Sequence, residues 1–292
     1  MRSEKYLKGV LLMVASCIAS SIMSGLIIYA SNIDSFKTVL FRFAIGFTLL
    51  GTAALFRKIK LKFVNSKMLF ARGLFGGIAV FLFFLSIKKI GMAKGTVISS
   101  SYPIFATAIS AVFLKEKISL ASWGMIGVCF LGIFLIVTGG AQGTLSSFSI
   151  FDILAIVGAI TSGIAIVCVK KLHDTDSSYA IFMAQCIIGF WLVVIPANLI
   201  PCSVGISGGI LLLGIGITAA IGQLFMTYGY KYLPVSTGSL LSMLLPVFNI
   251  PIGILLFNEK ISAYMLIGSS LILISCVYMI LKRNIPSKLD SR

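Results

Sequence analysis

Ten apolar runs follow one another with only short connections between them: 7–30, 35–56, 68–87, 92–114, 119–139, 150–169, 177–200, 207–230, 233–257 and 262–281. A helix crosses about 30 Å of hydrocarbon with roughly 20 such residues, because it satisfies its own backbone amides. The connections leave no room for a water-soluble domain. Only 11% of the 292 residues are charged and 59% are hydrophobic, where a soluble domain carries about 25% charged residues. Such a chain cannot cover a water-facing surface. The expected fold is an all-α integral membrane protein of ten transmembrane helices. The first run follows Arg2, Lys5 and Lys8, yet it is too long for a signal-peptide core and lacks a clean cleavage site, so it reads as a retained span.

The formal net charge of +16 does not point to nucleic acid, because of where the charges fall. With the N-terminus in the cytoplasm, 18 basic residues lie on the inner side, in groups such as Arg57, Lys58, Lys60, Lys62, Lys67 and Arg72, and 5 on the outer side. Arg42 is left inside a span. This is the positive-inside distribution, with both termini cytoplasmic and membrane lipid headgroups as the natural partners of the excess charge. The six cysteines are scattered, five of them inside spans. No Cys-x-x-Cys pair or metal-ligand spacing occurs, so packing is their expected role, and no metal or cofactor is implied.

An offset of 143 residues lays the chain on itself. It pairs Gly73 with Gly216, Gly95 with Gly238, Ser99 with Ser242, Pro103 with Pro246 and Ile109 with Ile252. Glu116-Lys117-Ile118-Ser119 then falls on Glu259-Lys260-Ile261-Ser262. Two repeats follow, 7–139 and 150–281, of five spans each. An odd number of spans makes the second repeat enter the membrane in the opposite direction, the plan of many secondary transporters. Glu116 and Glu259 then mark corresponding corners of two gates. A plainer reading is that Ser119 and Ser262 cap the helices that follow, with each Glu bonded to free helix amides or to a neighbouring Lys.

A small-residue span, then Gly…Ser…Pro-x-Phe, then Glu-Lys-Ile-Ser opening a Gly-rich span, all present twice, resembles the drug/metabolite transporter superfamily. Within it the pattern is most similar to the duplicated EamA domain, and Arg42-Phe43 in the second run matches as well. Span 7 departs from the likeness, with Gln185 at the position paired with Arg42. The resemblance implies a plasma-membrane permease. That family moves amino acids, other metabolites and drugs, mostly outward.

Pro103 and Pro246 lie near the middles of spans 4 and 9. A proline inside a helix leaves the carbonyl four residues back without its amide, here that of Ser99 and of Ser242. Under-bonded backbone at that depth needs a protein partner or a water-filled cavity. The expectation is a substrate cavity lined by Arg42, Ser99, Tyr102, Pro103, Ser242, Pro246 and Asn249. Arg42 should meet backbone carbonyls or an anionic group of the substrate, since an intramembrane Arg costs roughly 2.5–3.5 kcal/mol on insertion scales. The eight acidic residues all fall in termini, loops or span ends. That absence weighs against proton exchange for a cationic drug and favours a neutral, zwitterionic or anionic solute.

His173, beside Asp174, reads as a solvated loop residue. One histidine cannot furnish the ligand or acid–base cluster of a membrane enzyme, and no nucleotide-phosphate loop occurs. The expected activity is therefore transport of a small-molecule substrate, an amino acid or related solute, by alternating access. A lipid or lipid-linked sugar flippase and a drug exporter are the alternatives. Gly73-x-x-x-Gly77, Gly91-x-x-x-Gly95 and Gly205-x-x-x-Gly209 permit close helix contact, within the chain or in a homodimer.

Overall fold

The computed structural model describes residues 2–30, 32–90, 98–139, 149–199, 204–257 and 262–282. They form α1 (Arg2–Tyr29), α2 (Ser35–Leu55), α3 (Ser66–Ile90), α4 (Tyr102–Phe113), α5 (Leu120–Gly139), α6 (Ile150–Leu172), α7 (Ser178–Leu199), α8 (Ile206–Tyr232), α9 (Val235–Ser242), α10 (Leu245–Phe257) and α11 (Ala263–Lys282). Eight apolar helical stretches are long enough to cross a membrane, with α9 and α10 counted as one; α4 and α5 supply two shorter ones, Tyr102–Phe113 and Leu120–Ile136. Among the described residues the fold is all helical.

Local chemistry explains the helix ends. The Asp34 side chain accepts the Phe36 amide at 2.9 Å at the start of α2. Asn65 Oδ1 accepts the Met68 amide at 3.2 Å at the start of α3. At the start of α6 the Ser149 amide donates to Asp152 Oδ2 at 2.6 Å, the N3 half of a capping box. At the end of α2, Arg57 takes a left-handed φ of 56°. The Arg57 and Lys58 amides turn back onto the carbonyls of Ala54 and Ala53, both at 2.9 Å, the hydrogen-bond pattern that closes many helices. Ser119 Oγ accepts the Ser122 amide and Ser262 Oγ accepts the Met265 amide, both at 3.2 Å. The two serines of the repeated phrase therefore do cap α5 and α11.

The 143-residue offset carries α2 onto α7, α5 onto α11, and the first residue of α4 onto the first residue of α10. It also organises the packing. The most extensive contacts are α1 with α8, matched by α6 with α3; α3 with α7, matched by α8 with α2; and α4 with α6, matched by α10 with α1. The pairs α2–α7 and α5–α11 map onto themselves. All these contacts join one half of the chain to the other, so the core belongs to neither half alone. Gly73 abuts Ile188 while Gly216 abuts Ile45, the same pair of positions exchanged between halves; a Cβ at either glycine would lie 2.4 Å from the facing isoleucine Cδ1. Gly77 likewise meets Leu192 and Gly189. The Gly73-x-x-x-Gly77 face is thus used inside the chain, whereas Gly205 and Gly209 meet nothing within 4 Å. Gly91 and Gly95 lie outside the described residues.

Large apolar side chains cover the outside of the bundle. Phe113, Trp191 and Ile206 are 76%, 69% and 89% exposed, the arrangement expected of a surface whose solvent is lipid.

Candidate functional site

The structure breaks both central spans. Ile98 and Ser99 are helical, 100–101 form a turn, and α4 starts at Tyr102. In the other half α9 stops at Ser242 and α10 starts at Leu245. The Ser101 amide reaches the Ile98 carbonyl at 3.1 Å, and the Leu244 amide reaches the Leu241 carbonyl, also at 3.1 Å. These two bonds are the same bond 143 residues apart. The expectation of a proline inside each helix is corrected accordingly. Pro103 and Pro246 occupy the second residue of helices that begin anew, where a missing N–H costs nothing. The backbone irregularity lies two to three residues upstream, at Ser100–Ser101 and Met243–Leu244.

A cavity of about 680 Å³ opens beside these breaks. Of the residues picked from sequence, Ser99, Tyr102, Ser242, Pro246 and Asn249 line it. The Tyr102 hydroxyl and Ser242 Oγ are hydrogen bonded across the two halves. Pro103, which is buried, and Arg42, which is half-buried, both lie outside the lining. Positions related by the offset face the cavity together: Ser16 with Ala159, Phe83 with Met226, Ser99 with Ser242, Ser100 with Met243, and Tyr102 with Leu245. In three of these pairs the first half supplies the hydroxyl and the second an apolar side chain. The polar residues from the second half are Ser162, Ser242 and Asn249, and the buried Asn249 Oδ1 has no partner. Among the described residues no charged side chain lines this space. A lining that combines hydroxyls with aliphatic, aromatic and thioether groups suits a solute with a hydrogen-bonding end and an apolar end.

Glu116 takes an unexpected partner. Lys115, at a left-handed φ of 53°, turns the chain after α4. Glu116 Oε1 then accepts the Val235 amide at 3.1 Å, and its Oε2 accepts Ser110 Oγ at 3.3 Å. The amide belongs to the first residue of α9, so the carboxylate sits at the positive end of that helix. The helix is one from the opposite repeat, not the following one. Glu116 also borders a second pocket of about 350 Å³ with Lys117, Ser236 and Thr237. Glu259 lies outside the described residues.

Sequence reasoning missed a second intramembrane cation. Arg72, counted there with the inner loop, is 2% exposed. Because α3 begins at Ser66, Arg72 is a full turn and a half inside the helix. Its Nη2 donates to Gln185 Oε1 at 2.7 Å, and Arg42 Nη2 donates to Gln223 Oε1 at 3.4 Å. A glutamine at the position paired with Arg42 was the available signal.

His173 is half-buried rather than solvated: Nδ1 donates to the Val169 carbonyl at 2.7 Å, and Nε2 meets Ser178 Oγ at 3.1 Å. Among the described residues no group of His, Cys, Asp and Glu is placed to hold a metal.

The model of the EamA-like transporter family matches residues 7–138 and again 149–281. The pseudopaline exporter CntI of Pseudomonas aeruginosa is 28% identical over 274 residues, 92% of this chain and 94% of its own length. The riboflavin transporter of Vibrio cholerae is 23% identical and covers 94% of this chain and 93% of its own. Solute carrier family 35 member G1 of Mus musculus is 26% identical over 75% of this chain and 63% of its own length. A crystal structure at 18% identity has the same fold, with a TM-score of 0.74 over 98% of this chain and 99% of that one. The chain is a multi-pass membrane protein and a transporter rather than an enzyme; it belongs to the EamA-like transporter family.

Proposed function

We propose that the chain is a secondary transporter of the plasma membrane that carries a small polar metabolite, an amino acid or related zwitterionic solute, by alternating access. Ten spans in two inverted repeats, with both termini in the cytoplasm, are the frame of this reading. The observation that carries it is the 680 Å³ cavity at two broken spans, lined by pairs of positions related by the 143-residue offset. A cavity that straddles the relation between two inverted repeats can be offered to either side by rocking one against the other.

The lining narrows the solute. A net charge would find no counter-ion among the described lining residues, and charge transferred to low dielectric without one is costly. A zwitterion or neutral molecule can bring its polar end to Tyr102, Ser99, Ser242 and Asn249. Its apolar part would then lie against Phe83, Met226 and Met243.

Untargeted mass spectrometry of cytosol and medium tests this reading. Cells overproducing the wild type are compared with cells holding equal amounts of a Tyr102→Phe, Ser242→Ala, Asn249→Ala variant. A solute that redistributes only with the wild type names the substrate and its direction. A lipid that changes leaflet instead would replace the permease by a flippase. Redistribution that survives in the variant would remove the cavity from the transport path.

A further inference from the structure

Outside the cavity lining, α2, α3, α7 and α8 enclose a second polar cluster: Arg42, Arg72, Gln185 and Gln223. Its hydrogen-bonding inventory is lopsided. Each guanidinium carries five N–H donors and no acceptor. Among the described residues the two glutamine oxygens are the only acceptors bonded to them, one to each arginine. What is left over is donors: Arg72 Nε and Gln223 Nε2 are both buried without a partner. Gly76 belongs to the same construction, since a Cβ there would lie 2.1 Å from Arg72 Nη1 and 3.2 Å from Gln185 Nε2.

The charge is equally one-sided. Arg72 is 98% buried by its 2% exposure, and Arg42 is half-buried. The titratable groups close enough to act on the two guanidiniums are Cys168, Cys186, Tyr230 and the arginines themselves. Among the described residues none of these is a carboxylate. Arginine stays protonated in proteins, so both positive charges persist at a depth where an uncompensated ion is costly. Unmet donors and unmet positive charge at one place are satisfied together by one kind of ligand. Water would supply the acceptors but not the charge.

We propose that Arg42 and Arg72 form a binding site for a compact anion, held also by Gln223 Nε2 and separate from the transport cavity. The anion is either a free halide such as chloride or the carboxylate of a small organic acid. Its occupancy ties α2 and α3 of the first repeat to α7 and α8 of the second. Transport is thereby made to depend on the anion through the packing of the two repeats and not through contact with the solute.

The test uses the full chain, purified in lipid nanodiscs, with sodium gluconate replaced stepwise by chloride, bromide or acetate at constant ionic strength. The melting temperature of the wild type should rise saturably with at least one of these anions. Arg72→Gln and Arg42→Gln should each flatten that rise. Response to chloride and bromide identifies a halide site; response to acetate alone identifies a carboxylate site. Should Arg72→Gln fail to fold, Gln223→Leu decides the matter, because it keeps both cations while removing the Nε2 donor along with Oε1, the acceptor of Arg42; its half-saturating concentration should increase roughly tenfold. A bromide-soaked crystal should show anomalous density beside Arg72 Nε. A wild-type melting temperature indifferent to all three anions overturns the proposal, as does a dependence left unchanged by these variants.

Discussion

Glu116 Oε1 and the Val235 amide, 3.1 Å apart, join the turn after α4 in the first repeat to the start of a helix in the second. A hydrogen bond from a backbone amide to a charged group contributes on the order of 1.5–3 kcal/mol. Glu116→Ala is expected to lower stability by about that much, and Glu116→Gln by less because an acceptor remains. The same contact closes one wall of the pocket that holds Ser236. A cysteine at position 236, introduced in both backgrounds, should react faster with a water-soluble maleimide when Glu116 is Ala. Equal rates would show that the contact does not control access.

Paired glycines make a second test. The three atoms nearest a Cβ at Gly216 are all side-chain atoms of Ile45, at 2.4 to 2.8 Å, whereas one at Gly73 would also meet the Ala184 carbonyl oxygen at 2.8 Å. Gly216→Ala should destabilise by about 1–3 kcal/mol, the usual cost of overpacking, and Ile45→Ala should restore most of it. Gly73→Ala should cost at least as much. Trimming Ile188 should not restore it, because backbone cannot be trimmed. Thermal melting of the four variants distinguishes the two behaviours.

Much of this architecture could be read from the residues before any coordinates. The offset of 143 predicts that α7 begins 143 residues after α2, at Ser178, and that Ser119 and Ser262 play one role twice. Position along the chain was enough for those. What escaped depends on which helices become neighbours. Arg72 looks like an ordinary flank of an apolar run until α3 is seen to start at Ser66 and to lie against Gln185. Proline in mid-run suggests a kink at proline itself. The break lies earlier, where the Ser101 side chain bonds the Ile98 carbonyl at 2.6 Å. Glu116 could be seen to want a helix amide, but a sequence does not say that the helix lies 119 residues away.

The loop between α6 and α7 titrates in a defined direction. Burial holds the His173 imidazole below its usual value, with Lys170 and Lys231 adding to the effect and the Val169 carbonyl and Asp174 opposing it. The unfolded chain therefore binds the proton more readily than the folded one just below about pH 6.5. This contribution to stability is fully present above that pH and is lost as the pH falls towards the lower folded value. A His173→Gln variant should lose less melting temperature than the wild type between neutral pH and pH 5. Parallel curves would show that His173 does not titrate there.

A last prediction concerns the loops. Asp176 Oδ1 accepts the Val64 amide at 2.6 Å, Asn65 follows at 3.3 Å, and Ser177 Oγ donates to the Lys60 carbonyl at 3.2 Å. The carboxylate is 7% exposed, so Asp176→Asn should cost less than Asp176→Ala, which leaves two amides unpaired at about 1–3 kcal/mol. Limited proteolysis after Lys58, Lys60 or Lys62 should quicken in step with that loss.

The interleaving of the two halves has a consequence for biogenesis. Each helix of the first repeat finds its main partner in the second, so Ile45 waits for Gly216 and Arg72 for Gln185. Chains elongate at about 5–20 residues per second, and the partners lie 113 and 171 residues further on. For roughly 5–35 seconds the early helices must therefore rest in the lipid with their glycine faces and a buried cation uncovered. During that interval the nascent chain depends on whatever else in the membrane will shelter them.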